Sequence, residues 1–379
     1  MKMLPIARTV ALAWLVGVSG CTADRTTSQS TVAEWTIDSV PLLEIGTRDG
    51  PGEAQFAEVY GVRRLRDSSI VVVDGATPAV RVFNARGAYV RTIGWRGDGP
   101  GEYRKPRWIA ESDSGGLFVY DAFAEAVGRL IHYDRSGAVL WSETLHALPD
   151  ATPSTPSRLL RDETLLLTGP VRDTYRNRPD GLPVQGIDGV VVWRRGEPAR
   201  TLRRVPGQIV TRKNPAWSDG GMVEFSDSLI YSANADRYAI AVHALDGSQR
   251  DSIVRADYPV VRTTRERIDL MMAEARAYLD TVADPAKRQA LETQFAAMTF
   301  PDTFPLIARM LTDEVGQLWV QLVEQRSWSV YAPDGTHIAD MPPLYARFTI
   351  RQIEADQVIG VWRDADDVPL VHIHRLRKR

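Results

Sequence analysis

Two pairs of carboxylates and one pair of imidazoles are the side chains in this 379-residue chain whose spacing could support chemistry. Asp49 and Glu53 flank one glycine-rich stretch and Asp98 and Glu102 another, and carboxylate oxygens grouped in this way are what a calcium ion takes as ligands. The commoner use of such residues is local: the aspartates accept bonds from turn amides and the glutamates stand in water. His372 and His374 lie two apart in an apolar run, so on a strand they share a face, as metal ligands would. With six histidines in the chain and no third ligand near this pair, an ordinary strand-face pair is expected. Gly-x-Ser-x-Gly, His-Glu-x-x-His and phosphate-loop motifs are absent, and Gly97-Asp98-Gly99-Pro100-Gly101 lacks the strand-to-helix context of a nucleotide loop. No catalytic, metal-ligating or cofactor-binding residue is assigned, and no cofactor is expected.

One cysteine carries a more specific signal. Lys2 and Arg8 make a basic start, and Thr9 to Val18 is an apolar run too short to span a bilayer. The sequence Val18-Ser19-Gly20-Cys21 follows, resembling a bacterial lipobox, in which small residues precede a cysteine that is diacylated and becomes the mature N-terminus. Cys21 is the only cysteine, which excludes an intramolecular disulfide. Anchoring free energy grows by about 0.8 kcal/mol per buried CH2, so two or three acyl chains would hold the protein stably on a bilayer. The expected organisation is a signal peptide over 1–20, a Thr/Ser-rich tether over 21–31 and a folded domain over 32–379.

What positions these residues is a repeat. Ile45-Gly46-Thr47-Arg48-Asp49-Gly50-Pro51-Gly52-Glu53 returns 48 residues later as an Ile93 to Glu102 stretch with the same Asp-Gly-Pro-Gly-Glu ending. Each copy is followed by a hydrophobic run ending in aspartate (Ile70 to Asp74, Leu117 to Asp121). A second run and a glycine turn come next (Arg81 to Gly87, Leu130 to Gly137). Short Val/Ile runs bounded by Gly, Pro, Asp and Asn are strand signals, and Gly87 and Gly137 supply the positive φ of tight hairpins. The Asp-Gly-Pro-Gly-Glu segments cannot continue a strand and are expected to connect sheets. A period of this size fits blades of antiparallel strands.

The succession hydrophobic-Val-Asp, then hydrophobic-Phe/Tyr-Asn/Asp-x-x-Gly, then the glycine-rich stretch and Pro106, resembles the NHL repeat of six-bladed β-propellers, and most closely the bacterial lipoproteins that carry them. The resemblance covers Ile45 to Leu145 well and returns over Ile307 to Leu376. It departs at Thr77-Pro78, where the repeat usually places an asparagine, and at Trp108, where it places a glycine. The resemblance implies an all-β, NHL- or TolB-like six-bladed β-propeller. Some related propellers are metal-dependent lyases or lactonases.

The remaining chain keeps the strand grammar. Thr164 to Gly169 and Gly189 to Trp193 read as a third blade around a charged loop, Val171 to Gly186. A fourth is read from Ser228 to Val242 with the Asp246-Gly247 turn, a fifth from Gln317 to Ile338, and a last from Gln357 to His374. Trp35 to Val40 is strand-like and precedes the first repeat, which suits the strand that closes the ring and hides its edges. Residues 263–298 break the pattern. Thr263 with Glu266 forms a candidate capping box, and Asp284-Pro285 opens a second helix, giving a small two-helix insertion.

Without residues 1–20 the chain has 44 basic and 48 acidic residues, a net −4, which argues against nucleic-acid binding. The function expected is that of a membrane-tethered extracytoplasmic binding or scaffold module for a protein, peptide or glycan. Its partner on the membrane side is the lipid bilayer, reached through acylated Cys21. The place expected is the bacterial cell envelope, facing the periplasm or the cell surface, on the outer rather than the inner membrane. The alternative is a metal-dependent propeller enzyme of lyase or lactonase type with its site at the central channel.

Overall fold

The computed structural model describes residues 32–124, 127–146, 156–171, 184–210, 214–215, 220–345 and 347–379. The signal segment 1–20, Cys21, the tether and most of the charged loop after Val171 lie outside the described residues. The chain forms six antiparallel blades. Blade 1 is β3 (Val59–Arg64), β4 (Ile70–Asp74), β5 (Ala79–Phe83) and β6 (Tyr89–Ile93), and blade 2 is β7 (Pro106–Glu111), β8 (Leu117–Ala124), β9 (Val127–Tyr133) and β10 (Val139–Leu145). Blade 3 is β11 (Pro156–Leu159), β12 (Leu165–Pro170), β13 (Val184–Trp193) and β14 (Arg200–Val210). After a two-residue strand, β15 (Asn214–Pro215), blade 4 follows as β16 (Gly221–Phe225), β17 (Leu229–Asn234), β18 (Ala239–Ala244) and β19 (Gln249–Val254).

The first strand of each blade lines the axis. β3 packs against β7, β7 against β11 and β11 against β16, and the ring continues through β23 (Ile307–Thr312) of blade 5 and β27 (Phe348–Ile353) of blade 6 back to β3. Blade 5 is completed by β24 (Leu318–Leu322), β25 (Trp328–Tyr331) and β26 (His337–Met341), and blade 6 by β28 (Gln357–Arg363) and β29 (Pro369–Lys378).

The second strands are buried on both faces because each is sandwiched between neighbouring blades. This is why Ile70-Val71-Val72-Val73 reads as a continuous apolar run and not as an alternating one. The core is accordingly six interblade wedges. Val71, Val73 and Ile93 of blade 1 meet Ile109, Val119 and Ile131 of blade 2. On the other side Ile70, Val72 and Phe83 meet Ile359, Val371 and Ile373 of blade 6.

In blades 1 and 2 a buried aspartate of the second strand, the last residue of β4 and the fifth of β8, pins the connection between blades. Asp121 Oδ1 accepts from Arg104 N at 3.0 Å and Lys105 N at 2.5 Å, and its Oδ2 pairs with Arg129 at 3.2 Å. Asp74 accepts from Glu58 N, Ala76 N and Thr77 N and pairs with Arg81 at 3.4 Å. Both Asp-Gly-Pro-Gly-Glu segments run between blades, and Gly87 and Gly137 have φ of 79° and 91°.

The N-terminal segment closes the ring, in two pieces. β1 (Ala33–Ile37) runs parallel to β26 and antiparallel to the far end of β29, with Trp35 opposite Lys378. β2 (Leu43–Ile45) then adds the fourth strand of blade 6, with Glu44 opposite His372. Trp35 fills the seam, its ring 5.4 Å from that of Trp319, with the Lys378 ammonium 4.4 Å above it.

Between blades 4 and 5 stand two helices, α1 (Arg265–Thr281) and α2 (Pro285–Ala296), entered and left through β20 (Val261–Arg262), β21 (Met298–Thr299) and β22 (Thr303–Phe304). The cap of α1 is Thr264, not Thr263: β20 pairs with β22, so the chain is still extended at 263, and the Thr264 hydroxyl accepts from Arg267 N. Asp284 caps α2, with Pro285 at its first position. Leu279, Leu291 and Phe295 hold the two helices together.

Candidate functional site

The carboxylates of the glycine-rich connections sit differently from the expectation. Glu102, rather than Asp98, accepts the turn amide: its Oε2 receives Gly99 N at 2.7 Å and its Oε1 receives the Trp95 indole at 3.0 Å. Glu102 follows Gly99 by three positions, and its longer side chain folds back onto the turn. Asp98 instead pairs with Arg104, whose guanidinium holds its carboxyl below the usual range. Asp49 and Glu53 are exposed. Among the described residues no group of three or more His, Cys, Asp or Glu has the arrangement to hold a metal ion.

His372 and His374 share a face, with ring centroids 5.4 Å apart, and both are engaged in closing blade 6. His372 Nε2 lies 2.8 Å from Glu44 Oε2 and its ring stacks on Trp362, while His374 Nδ1 donates to the Asp38 carbonyl at 2.8 Å. Burial pushes both imidazoles below their ordinary range.

The charged groups that do converge lie on the axis, at the end of the ring where each first strand turns into the second. Arg63 and Arg64 come from blade 1, Glu111 from blade 2, Arg158 from blade 3, Glu224 from blade 4, Thr312 from blade 5 and Gln352 from blade 6. The first strands are short and already flanked by apolar neighbours on both sides, so a side chain pointing at the axis has only the other five strands and water to face. Arg63 and Glu224 lie deep in the ring and keep partial access to water.

Most of this cluster is paired. Arg158 forks onto Asp227 at 2.7 and 3.0 Å, Arg64 reaches Gln357 at 2.8 Å and Glu354 at 3.3 Å, and Gln352 accepts from Arg64 N while donating to Glu314. Arg63 is the exception. Its Nε is fully enclosed with no hydrogen-bond partner, and among the described residues no carboxylate comes within ion-pairing distance of it. Burial lowers its affinity for a proton, and the strongest charge acting on it is that of another cation, Arg158; Glu314, Glu111 and Glu224 act the other way. Glu224 is the complementary anomaly. Burial pushes its carboxyl up to about 7 against the opposing pull of the Phe225 amide, the Thr312 hydroxyl at 3.2 Å, Arg158 and Arg309.

Sequence reasoning missed this cluster. One signal was present: Arg63, Glu111 and Arg158 follow one another at 48 and 47 residues, close to the blade period. A second cleft, of about 130 Å³ between blades 1 and 2, is lined by Arg66, Arg91 and Arg135. Those arginines spend donors on the carbonyls of Ser112, Arg135 and Ser114, which makes the cleft a structural seam.

Together the ring of six blades and the charged axis define the class: a six-bladed β-propeller with its polar residues gathered on the central axis. Residues 37–151 match the model of a protein family described as a 6-bladed beta-propeller. No curated protein matches the sequence. Among solved structures, a member of the DUF4221 family from Bacteroides vulgatus is similar at TM-score 0.54 and 7% identity, over 91% of this chain and 99% of that one. A Bacteroides fragilis protein assigned to export is similar at TM-score 0.50 and 12% identity, over 92% of this chain and all of that one. At such identities the likeness speaks for the fold.

Proposed function

We propose that this chain is an extracytoplasmic lipoprotein, tethered through acylated Cys21, whose propeller binds a ligand and does not catalyse. The observation that carries the binding reading is the convergence on one end of the axis of polar side chains from all six blades, with Arg63 left unpaired among them. A rigid closed ring holds such groups in fixed geometry, the arrangement in which binding sites form. Export is supported by the basic start and short apolar run before Val18-Ser19-Gly20-Cys21, and by the assignment to export of the similar Bacteroides fragilis protein. Among the described residues no helix is long and apolar enough to cross a membrane. The ligand class is a protein, peptide or glycan, and α1 and α2 add surface beside the ring.

Cys21→Ala tests the tether. The variant is expected to leave the membrane fraction or to accumulate as uncleaved precursor, and a variant processed and pelleted like the wild type removes the lipoprotein reading. Elemental analysis tests binding against catalysis. A stoichiometric metal on the axis, lost on chelation together with a turnover, would replace the binding reading by that of a metal-dependent enzyme.

A further inference from the structure

An enclosed hydrogen-bond donor is ordinarily paired, because an unmet one costs its desolvation. The Nε of Arg63 breaks that rule while the rest of its guanidinium keeps access to water, and the nearby carboxylates are not at its disposal. Asp227 is held by Arg158, Glu354 by Arg64, Glu111 by the amide of Arg66 at 3.0 Å, and Glu314 by Gln352 at 3.0 Å. Glu224 has no arginine within ion-pairing distance among the described residues, and its hydroxyl neighbour Thr312 also bonds the Phe225 carbonyl at 2.6 Å. The axis therefore holds one unmatched guanidinium fork, that of Arg63, in a water-accessible space, with Arg158 nearby already engaged by Asp227.

We infer that this end of the axis is a carboxylate-binding site, in which the Arg63 guanidinium takes the carboxylate of a ligand. The inference rests on reading the axis as the binding site. A planar carboxylate matches the two parallel N–H groups of a guanidinium. One negative charge suits the balance of the site better than two, because Glu111, Glu224 and Glu314 also act on Arg63, and a phosphate dianion would meet their repulsion. Glu224 makes occupancy depend on pH. It is faced by Arg158 from blade 3, by Arg309 and Thr312 from blade 5, and across the axis by Arg63, with Glu111 and Glu314 also near Arg63. In its protonated form it adds no negative charge and offers a proton to the ligand; deprotonated, it competes with the ligand for Arg63. The carboxylate belongs to a peptide terminus or to a uronic acid, and the same chemistry serves both.

The test is calorimetric titration of the full-length protein in detergent with acetate, N-acetyl-alanyl-alanine and glucuronate, with inorganic phosphate as control, at pH 6 and pH 8. Saturable binding of carboxylates is expected, and at pH 8, where phosphate is mainly the dianion, it should be at least about tenfold tighter than that of phosphate. Affinity should be about tenfold higher at pH 6 than at pH 8, the ratio that protonation of one group near pH 7 gives. Glu224→Gln should bring that ratio below about twofold. Arg63→Gln should weaken binding at least about tenfold, and Arg63→Lys, which keeps the charge and loses the fork, by less. A preference for the dipeptide places the source in peptides, and a preference for glucuronate places it in glycans. Circular dichroism checks folding; if Arg63→Gln does not fold, Arg63→Lys and the pH ratio of Glu224→Gln decide. Folded wild-type protein without saturable carboxylate binding at pH 6, or Arg63→Gln with wild-type affinity, overturns the inference. Neither result touches the tether or the metal analysis, so failure of this site and failure of the binding reading are separable.

Discussion

Replacing Glu224 by glutamine should change how the stability of the ring depends on pH. The carboxyl lies deep beside the axis, and burial pushes it from the ordinary 4.5 up to about 7. A carboxyl that holds its proton more tightly folded than unfolded stabilises the fold while it is protonated. That contribution is complete below about pH 4.5 and is lost as the pH rises through 7. At about 1.4 kcal/mol per pH unit of difference, the part lost between pH 5 and pH 8 is about 2–3 kcal/mol. Glutamine has nearly the same shape, can accept the Thr312 contact and does not titrate. Urea unfolding of wild type and Glu224→Gln at pH 5 and pH 8 isolates the group, because every other titration is common to both proteins. The stability of Glu224→Gln relative to wild type should rise by about 2–3 kcal/mol between the two pH values. A relative stability that is the same at both pH values within about 0.5 kcal/mol would refute the burial of this carboxyl and with it the description of the axis.

Two further substitutions probe the ring. Asp121→Ala strands the Arg129 guanidinium and the amides of Arg104 and Lys105, and should cost about 3–5 kcal/mol in unfolding experiments, with the Asp121→Ala/Arg129→Ala double variant costing less than the sum; a cost below about 1 kcal/mol contradicts the staple. Deleting residues 33–45 removes β1 and β2 and bares the edges of β26 and β29, so light scattering should show association or the fold should be lost; a monomeric, equally stable product means that the ring is closed elsewhere.

How much of this was legible in the sequence follows from where each blade carries its charge. Blades 1 and 2 announced themselves because Asp74 and Asp121 end apolar runs and are each followed by a second run and a hairpin glycine, Arg81 to Gly87 and Leu130 to Gly137. Blades 3 and 4 lack such an aspartate at the end of the second strand, and only their apolar runs remained to be read. In blade 3 the strand read from Gly189 begins in fact at Val184. The closing segment was visible in Trp35, but its division into two pieces depends on both N-terminal strands pairing with the long β29, a tertiary fact. The helices were legible through Asp284-Pro285, and the first cap was misplaced by one residue because β20 keeps Thr263 extended. The axis was the least legible part. Arg63, Arg158 and Glu224 interrupt short strands, so they read locally as breaks in a hydrophobic pattern. Their meaning arises only when the ring brings six such interruptions to one place.

The central claim is that the axis binds without a metal. Its most direct measurement is calorimetry of exhaustively chelated full-length protein and of its Arg63→Gln variant with the same carboxylate probes at pH 6. The account predicts saturable binding to the chelated wild type and at least about a tenfold weaker interaction with the variant. Binding that returns only when a metal is restored, or that is indifferent to Arg63, would contradict it.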